Sequence, residues 1–387
     1  MQARIGSADA LTKEAEPSTR HLVVSAVNLV EGGTLEMLRQ CLQEVVRLGG
    51  WRVTALVNDA DKVGVSGVDY IARPDIKPSW LKRIRFEYVE CRTLAEQLRP
   101  DFWLSLHDMT PDLGRMAGTV PQAVYCHNAM CFYRMSWREM WLDPKLILFA
   151  KLYAFFYRRN LHRNSAVIVQ QDWIREGFRQ RFGCRNVVVA HPMPEHANRS
   201  ASVRAGHRFF YPSFARVFKN FETLLRAWEI LCADASWDGE LTLTVDGNIN
   251  RYGAGLMRRF GHLRNVRFIG RVSHAEVQAL YASNDCLVFP SKLETWGVPL
   301  TEAKEAGLSI LAADLPYAHE AVGDYDGVAF FPAEDATALA ELMRAFCERR
   351  LMDTGASLPP VSEPFVEHWA GLLQYLLRPA GKAGIKP

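Results

Sequence analysis

The stretch Ser291-Lys-Leu-Glu294-Thr-Trp-Gly297-Val-Pro-Leu-Thr-Glu302-Ala-Lys-Glu-Ala-Gly307 decides how the chain is read. It follows Cys286-Leu-Val-Phe289, a short apolar run of the kind that makes a buried parallel strand, and it turns into a helical pattern after Gly297. In open α/β sheets, ligands collect where such strands end. Gly297 lets a backbone come close to a ligand, Pro299 suits the first helical position, and the free amides of a helix N-terminus attract an anion such as a diphosphate. Glu302 falls in the first helical turn, where a favourable dipole by itself explains a carboxylate. Glu294 sits in the preceding loop and has no such explanation. Together the two carboxylates can accept the hydroxyls of one polyol, as a sugar or a ribose presents them.

Outward from this segment, strands and helices alternate. His21 to Val27 reads as a strand, Glu31-Gly32-Gly33 as a tight loop, and Thr34 onward as a helix with Leu35, Leu38, Leu42, Val45 and Val46 at helical spacing. Gly49-Gly50 ends it before the strand Trp51 to Val57, which closes a βαβ unit. Strands at Phe102 to Leu106, Ala123 to Tyr125 and Ala166 to Val169 continue the pattern. A Pro-, Asn- and Ser-rich stretch near 190 to 207 breaks it. The cycle restarts with Phe209 to Tyr211, a helix at Phe221 to Ala233, strands at Leu241 to Val245 and Val266 to Ile269, and a helix at Ala275 to Ala282. The expected class is α/β, with two Rossmann-like domains facing across a cleft. The boundaries read as a flexible arm over 1–20, an N-terminal domain over 21–195, a C-terminal domain over 206–363, and a closing segment, 364–387. In that segment Phe365 to Leu377 reads as a helix that can fold back onto the first domain.

Composition narrows the partners. The 46 basic and 43 acidic side chains leave a formal charge of +3, too balanced for a protein living on a nucleic-acid backbone, so any anion site is local. The eight cysteines are scattered without a C-x-x-C pair or a zinc-like His spacing, as expected of a chain in a reducing cytoplasm. The polar stretch Met1 to Arg20 lacks the apolar core of a signal peptide. No apolar run reaches the roughly 18 to 20 residues that cross a bilayer, so a soluble or surface-bound protein is expected.

The spacing Glu294-x7-Glu302 followed by Ala306-Gly307 resembles the signature of the retaining GT-B transferases of glycosyltransferase family 4. The resemblance extends through Val266 to Tyr281, Asp285 to Pro290, Asp314-Leu-Pro316 and Gly327 to Pro332, and is looser in the N-terminal half. It implies a nucleoside diphosphate sugar donor, a glycan or lipid-linked saccharide acceptor, no required metal and no other cofactor, in cell-surface polysaccharide assembly. By the same resemblance Glu294 lies beside the donor sugar, Glu302 takes the ribose hydroxyls, and Lys219 holds the diphosphate. His127, in Val124-Tyr-Cys-His-Asn128, matches the N-domain histidine near the reacting sugar, although an imidazole there also serves as a structural hydrogen-bonding residue. Catalytic roles thus fall to His127, Glu294 and Lys219. Donor contacts fall to Gly32, Gly33, Arg216, Lys219, Arg271, Val272, Thr295, Trp296, Gly297, Thr301 and Glu302. Arg216 stands only three residues before Lys219, a departure from the commoner spacing.

The missing G-x-G-x-x-G argues against a dinucleotide enzyme. Asp324-Tyr-Asp326 has the form of a metal-binding D-x-D, but it falls in a late glycine-flanked loop and is read as a turn. Pro144 to Arg163 mixes aromatic and basic residues, as does Trp80 to Arg85, a composition that suits peripheral contact with the inner membrane surface. Two rivals remain on sequence alone: a GT-B nucleotide-sugar epimerase or phosphorylase, and a non-catalytic scaffold in a glycan-assembly complex.

Overall fold

The computed structural model describes residues 19–191, 206–350 and 361–378. Most of the expected N-terminal arm, and residues 192–205 where the sequence suggests a linker, lie outside the described residues. Contacts group the chain into two compact units, Met1–Leu104 with Asp112–Pro121, and Ser105–Pro111 with Gln122–Pro387. The strands belong to two sheets, and every pairing described is parallel.

The first unit runs β1 (Arg20–Ala26), α1 (Gly32–Leu48), β2 (Trp51–Val57), α2 (Ala60–Val63), β3 (Asp69–Ala72), α3 (Trp80–Arg85), α4 (Cys91–Leu98) and most of β4 (Phe102–Ser105), in the spatial order β4-β1-β2-β3. β1 is buried from His21 to Ala26, because a parallel strand is covered on both faces. α1 turns Leu35, Leu38, Leu42 and Val45 inward, the stripe its sequence spacing dictates. It starts two residues earlier than Thr34, at Gly32, whose φ of 64° lies in the left-handed region that glycine enters without cost.

The second unit begins with β5 (Gln122–Tyr125), α5 (Trp137–Leu142), α6 (Pro144–Arg158), β6 (Asn164–Val169), α7 (Asp172–Phe182) and β7 (Val187–Ala190). It continues with β8 (Arg208–Tyr211), α8 (Phe221–Cys232), β9 (Glu240–Leu243), α9 (Arg251–Phe260), β10 (Val266–Phe268), α10 (His274–Ser283), β11 (Cys286–Phe289) and α11 (Val298–Glu305). It ends with β12 (Ser309–Ala313), α12 (Pro316–Val322), β13 (Val328–Phe331), α13 (Ala336–Cys347), β14 (Phe365–Val366) and α14 (His368–Leu376). Six of these strands form a sheet in the order β10-β9-β8-β11-β12-β13, and β14-β7-β6-β5 are neighbours in the other. In the six-stranded sheet the order reverses between β8 and β11, the switch point where α/β sheets open a ligand crevice. Phe209, Phe210, Trp228, Leu241, Leu287 and Val288 are fully buried around that point.

One stretch changes from helix to strand. The helix expected from Phe365 begins at His368, and Phe365 and Val366 instead pair with Val189 and Ala190. The reason is Arg175, fully buried on α7, whose guanidinium donates to the Ser362 and Pro364 carbonyls and to the Ser362 hydroxyl. These bonds hold the approach to β14 extended. Among the described residues no helix is long and apolar enough to cross a membrane. Arg175→Met leaves the two carbonyls without their charged donor, and the expected loss is about 3 kcal/mol. An unchanged urea midpoint would count against this account.

Candidate active site

The buried strand β11 delivers its last residues to a loop that several side chains hold open. Asn220, in a left-handed conformation at φ 57°, donates through its amide to the Pro290 carbonyl at 3.0 Å and the Ala333 carbonyl at 2.6 Å. The ends of β11 and β13 are thereby fixed beside the turn that carries Lys219. The Lys219 ammonium meets the Glu294 carboxylate at 2.5 Å, with both side chains largely buried. Two groups 75 residues apart in sequence thus share one place.

Gly297 caps α11 with φ 89°, and a Cβ there would come within 3.2 Å of Leu300 Cδ1. The backbone therefore demands glycine at this turn. Pro299 has no N–H and the Leu300 amide is taken by the Gly297 carbonyl. The first turn offers the Gly297 and Val298 amides to an anion. Trp296 is buried, and its indole N–H is spent on the Thr301 hydroxyl at 2.9 Å, so that these two residues brace the turn from inside. Thr295 is half-buried beside them.

Glu302 accepts a hydrogen bond from the Tyr281 hydroxyl at 2.8 Å. Burial pushes its carboxyl above the usual glutamate value, with the Tyr281 bond opposing. Arg271 and Arg216 are both exposed, Arg271 in the loop after β10 and Arg216 at the start of the turn that carries Lys219, with the Arg271 guanidinium 5.8 Å from the Phe214 ring and Val272 half-buried next to it. Among the described residues the Arg216 side chain has no partner. Gly32 and Gly33 belong to the first unit, where a Cβ on either would meet nothing within 4 Å.

His127 stacks on Tyr125, with ring centroids 4.7 Å apart, and its Nδ1 lies 3.5 Å from the Gln170 amide. Its Nε2 is buried without a hydrogen-bond partner among the described residues. Burial lowers the imidazole below the ordinary histidine value, with the Asp108 charge opposing, so it is neutral near pH 7. No described contact joins His127 to the Lys219–Glu294 pair. Asp108 is occupied structurally, since its carboxylate accepts from the His127 and Asn128 amides and the Tyr157 hydroxyl. Inside the Asp324-Tyr-Asp326 turn, Tyr325 is buried and donates to the Leu308 carbonyl.

Sequence reasoning missed several residues that shape the site. Gln171, fully buried after β6, donates to the Trp296 and Tyr317 carbonyls at 3.3 and 2.9 Å. Glu320 accepts from the Asp172 amide and contacts His191, which lies 4.5 Å from the Trp296 ring. Lys292 pairs with Glu139 on α5 at 3.2 Å and with Glu334 at 2.7 Å. Burial alone would lower the Lys292 ammonium, but the two carboxylates hold it above the usual lysine value. No local pattern marks these residues, because each works on a partner more than 40 positions away. A cavity of about 390 Å³ opens beside them, lined by Tyr133, Glu139, Trp173, Lys292, Tyr317 and Glu334 among others. Glu294 and Glu302 are not in its wall, so polar geometry, and not cavity size, marks the candidate site.

Residues 198–355, less than half of the chain, match the family Glycosyl transferases group 1, and the chain carries a domain of that family there. No curated protein matches the sequence. Sucrose-phosphate synthase from Thermosynechococcus elongatus is similar with TM-score 0.59 at 14% identity, covering 87% of this chain and 92% of that one. HepE from Anabaena in complex with UDP and glucose is similar with TM-score 0.57 at 14% identity, covering 92% and 95%. WaaG, a glycosyltransferase involved in lipopolysaccharide biosynthesis, is similar with TM-score 0.57 at 15% identity, covering 85% and 94%. At these identities the likeness is one of fold: two parallel sheets of an α/β architecture, as in GT-B glycosyltransferase structures.

The buried Glu302 carboxylate yields a pH prediction. A carboxyl whose folded value is raised stabilises the fold below its unfolded value and loses that contribution as pH rises through the folded one. Glu302→Gln, which keeps an acceptor for Tyr281, is therefore expected to melt higher than the parent at neutral pH, with the difference closing below the ordinary glutamate range. A variant that melts lower at neutral pH would contradict the assigned direction.

Proposed function

We propose that the chain moves a glycosyl group from a nucleoside diphosphate sugar to a hydroxyl of a glycan or lipid-linked saccharide, with retention of configuration and without a divalent metal. The observation that carries this reading is the Lys219–Glu294 pair at the switch point of the six-stranded sheet, beside the glycine-capped start of α11. The group 1 domain spans both glutamates, and HepE, a structural neighbour, holds UDP and glucose. In this reading residues 21–195 form the acceptor-side domain, 206–363 form the donor-side domain, and 364–387 close the chain. A reducing cytoplasm fits the eight free thiols.

The chemistry follows from charge. As the bond between the sugar's anomeric carbon and the phosphate oxygen breaks, its electron pair leaves with the diphosphate. Lys219 and the Gly297 and Val298 amides meet the growing charge, the role a metal fills elsewhere. Arg216 and Arg271, exposed in the loops after β8 and β10, add to that field. Glu294 accepts sugar hydroxyls and balances Lys219 before the donor arrives; Glu302 and Tyr281 hold the ribose. The acceptor oxygen bonds to the same face of the anomeric carbon, and its proton passes to the leaving phosphate oxygen. His127, neutral near pH 7, lies near the reacting sugar in this reading, on the acceptor side.

A thermal-shift screen against GDP, UDP, dTDP and ADP is expected to give one responsive base, because a ligand that binds the folded state raises its melting temperature. With that sugar nucleotide, Lys219→Ala is expected to lower turnover by about 10²- to 10³-fold, equally with and without EDTA. Turnover abolished by EDTA would refute the metal-free reading, and an epimerised donor with no acceptor consumed would refute transfer.

A further inference from the structure

α5 and α6 present a face that a protein in water alone has no reason to keep. Trp137 and Trp141, one helical turn apart, are 83% and 88% exposed. On α6, Leu148 and Phe155 are 61% and 59% exposed with Leu152 between them, a spacing that aligns all three on one side. The opposite side of α6 is already satisfied, since Tyr153, Phe156 and Tyr157 are buried and the Tyr157 hydroxyl reaches Asp108. The outer apolar face is therefore not a misplaced core.

The charge around it has one sign. From residue 134 to residue 159 the exposed ionic side chains are Arg134, Arg138, Lys145, Lys151, Arg158 and Arg159, all cationic. The two carboxylates of the stretch are withdrawn: Glu139 is buried against Lys292 and Tyr133, and Asp143 caps the first turn of α6. Indoles and leucines flanked by lysine and arginine fit the headgroup region of an anionic bilayer, where apolar burial and attraction to lipid phosphates add. A protein partner would gain nothing from this charge pattern unless it too were anionic.

We infer that the outer face of α5 and α6 docks the protein onto an anionic lipid surface. The inner side of α5 carries Glu139, whose partner Lys292 stands two residues before Glu294, so one short helix links the docking face to the donor loop. Docking thereby holds that loop close to the lipid, where a lipid-linked acceptor resides; this consequence rests on the transferase reading, whereas docking itself does not.

Co-sedimentation of the full chain with vesicles of phosphatidylcholine, with and without phosphatidylglycerol, tests the inference. Binding is expected to the anionic vesicles, to weaken with added salt, and to fall at least about tenfold in Trp137→Ser/Trp141→Ser and in Leu148→Ser/Phe155→Ser. The nucleotide-induced thermal shift of these variants is expected to equal the parent's, which separates lost docking from lost folding or a failed donor site. Absence of binding to the anionic vesicles at low salt overturns the inference. So does unaltered binding by both variants, or a parental dimer in sedimentation velocity that the same substitutions dissolve while vesicles go unbound.

Discussion

A single amide organises the candidate site. Asn220 stands in a left-handed conformation at the start of α8 and donates to two carbonyls, Pro290 and Ala333, that end strands far apart in sequence. Carbonyls at the ends of parallel strands lose their ladder partners and, once buried, need a donor. By supplying both, Asn220 fixes the residue before it, Lys219, against the loop that follows β11. The Lys219–Glu294 contact then follows from backbone satisfaction as much as from charge.

The loop is braced from the other side by groups with no chemistry of their own. Gln171 reaches the Trp296 and Tyr317 carbonyls, Tyr317 donates to the Ser291 carbonyl, and the Trp296 indole closes on Thr301. Such a network over-determines the turn at Gly297, which has a backbone other residues enter only under strain. Positioning of this kind suits a reaction in which orientation and electrostatics do most of the work. Of Trp296 and Thr301, both expected as ligand contacts, Trp296 thus has its indole N–H committed to the protein, and the Thr301 hydroxyl is the acceptor of that bond. What remains for a ligand at this turn is chiefly backbone amide and carboxylate.

Much of the fold was legible because its signals are local. Trp51 to Val57 and Cys286 to Phe289 coincide with their strands residue for residue, α8 differs from expectation by one residue at its end, and α10 by one residue at each end. Buried parallel strands announce themselves as apolar runs, and helices by their stripe. Phe365 and Val366 misled because their apolar pattern continues into a helix, while the force that makes them a strand comes from Arg175, almost two hundred residues earlier.

The sequence by itself determined the α/β alternation, the place of the loop between β11 and α11, and the two glutamates flanking Gly297, all features carried by neighbouring residues. Tertiary structure alone decided which cation meets Glu294, that burial raises the Glu302 carboxyl, that Lys292 joins Glu139 to Glu334, and that the aromatic residues of α5 and α6 divide between core and solvent. The physical reason is the same in each case. Desolvation and long-range pairing depend on what else occupies a few ångströms of space, and that neighbourhood is written across the whole chain instead of within any stretch of it.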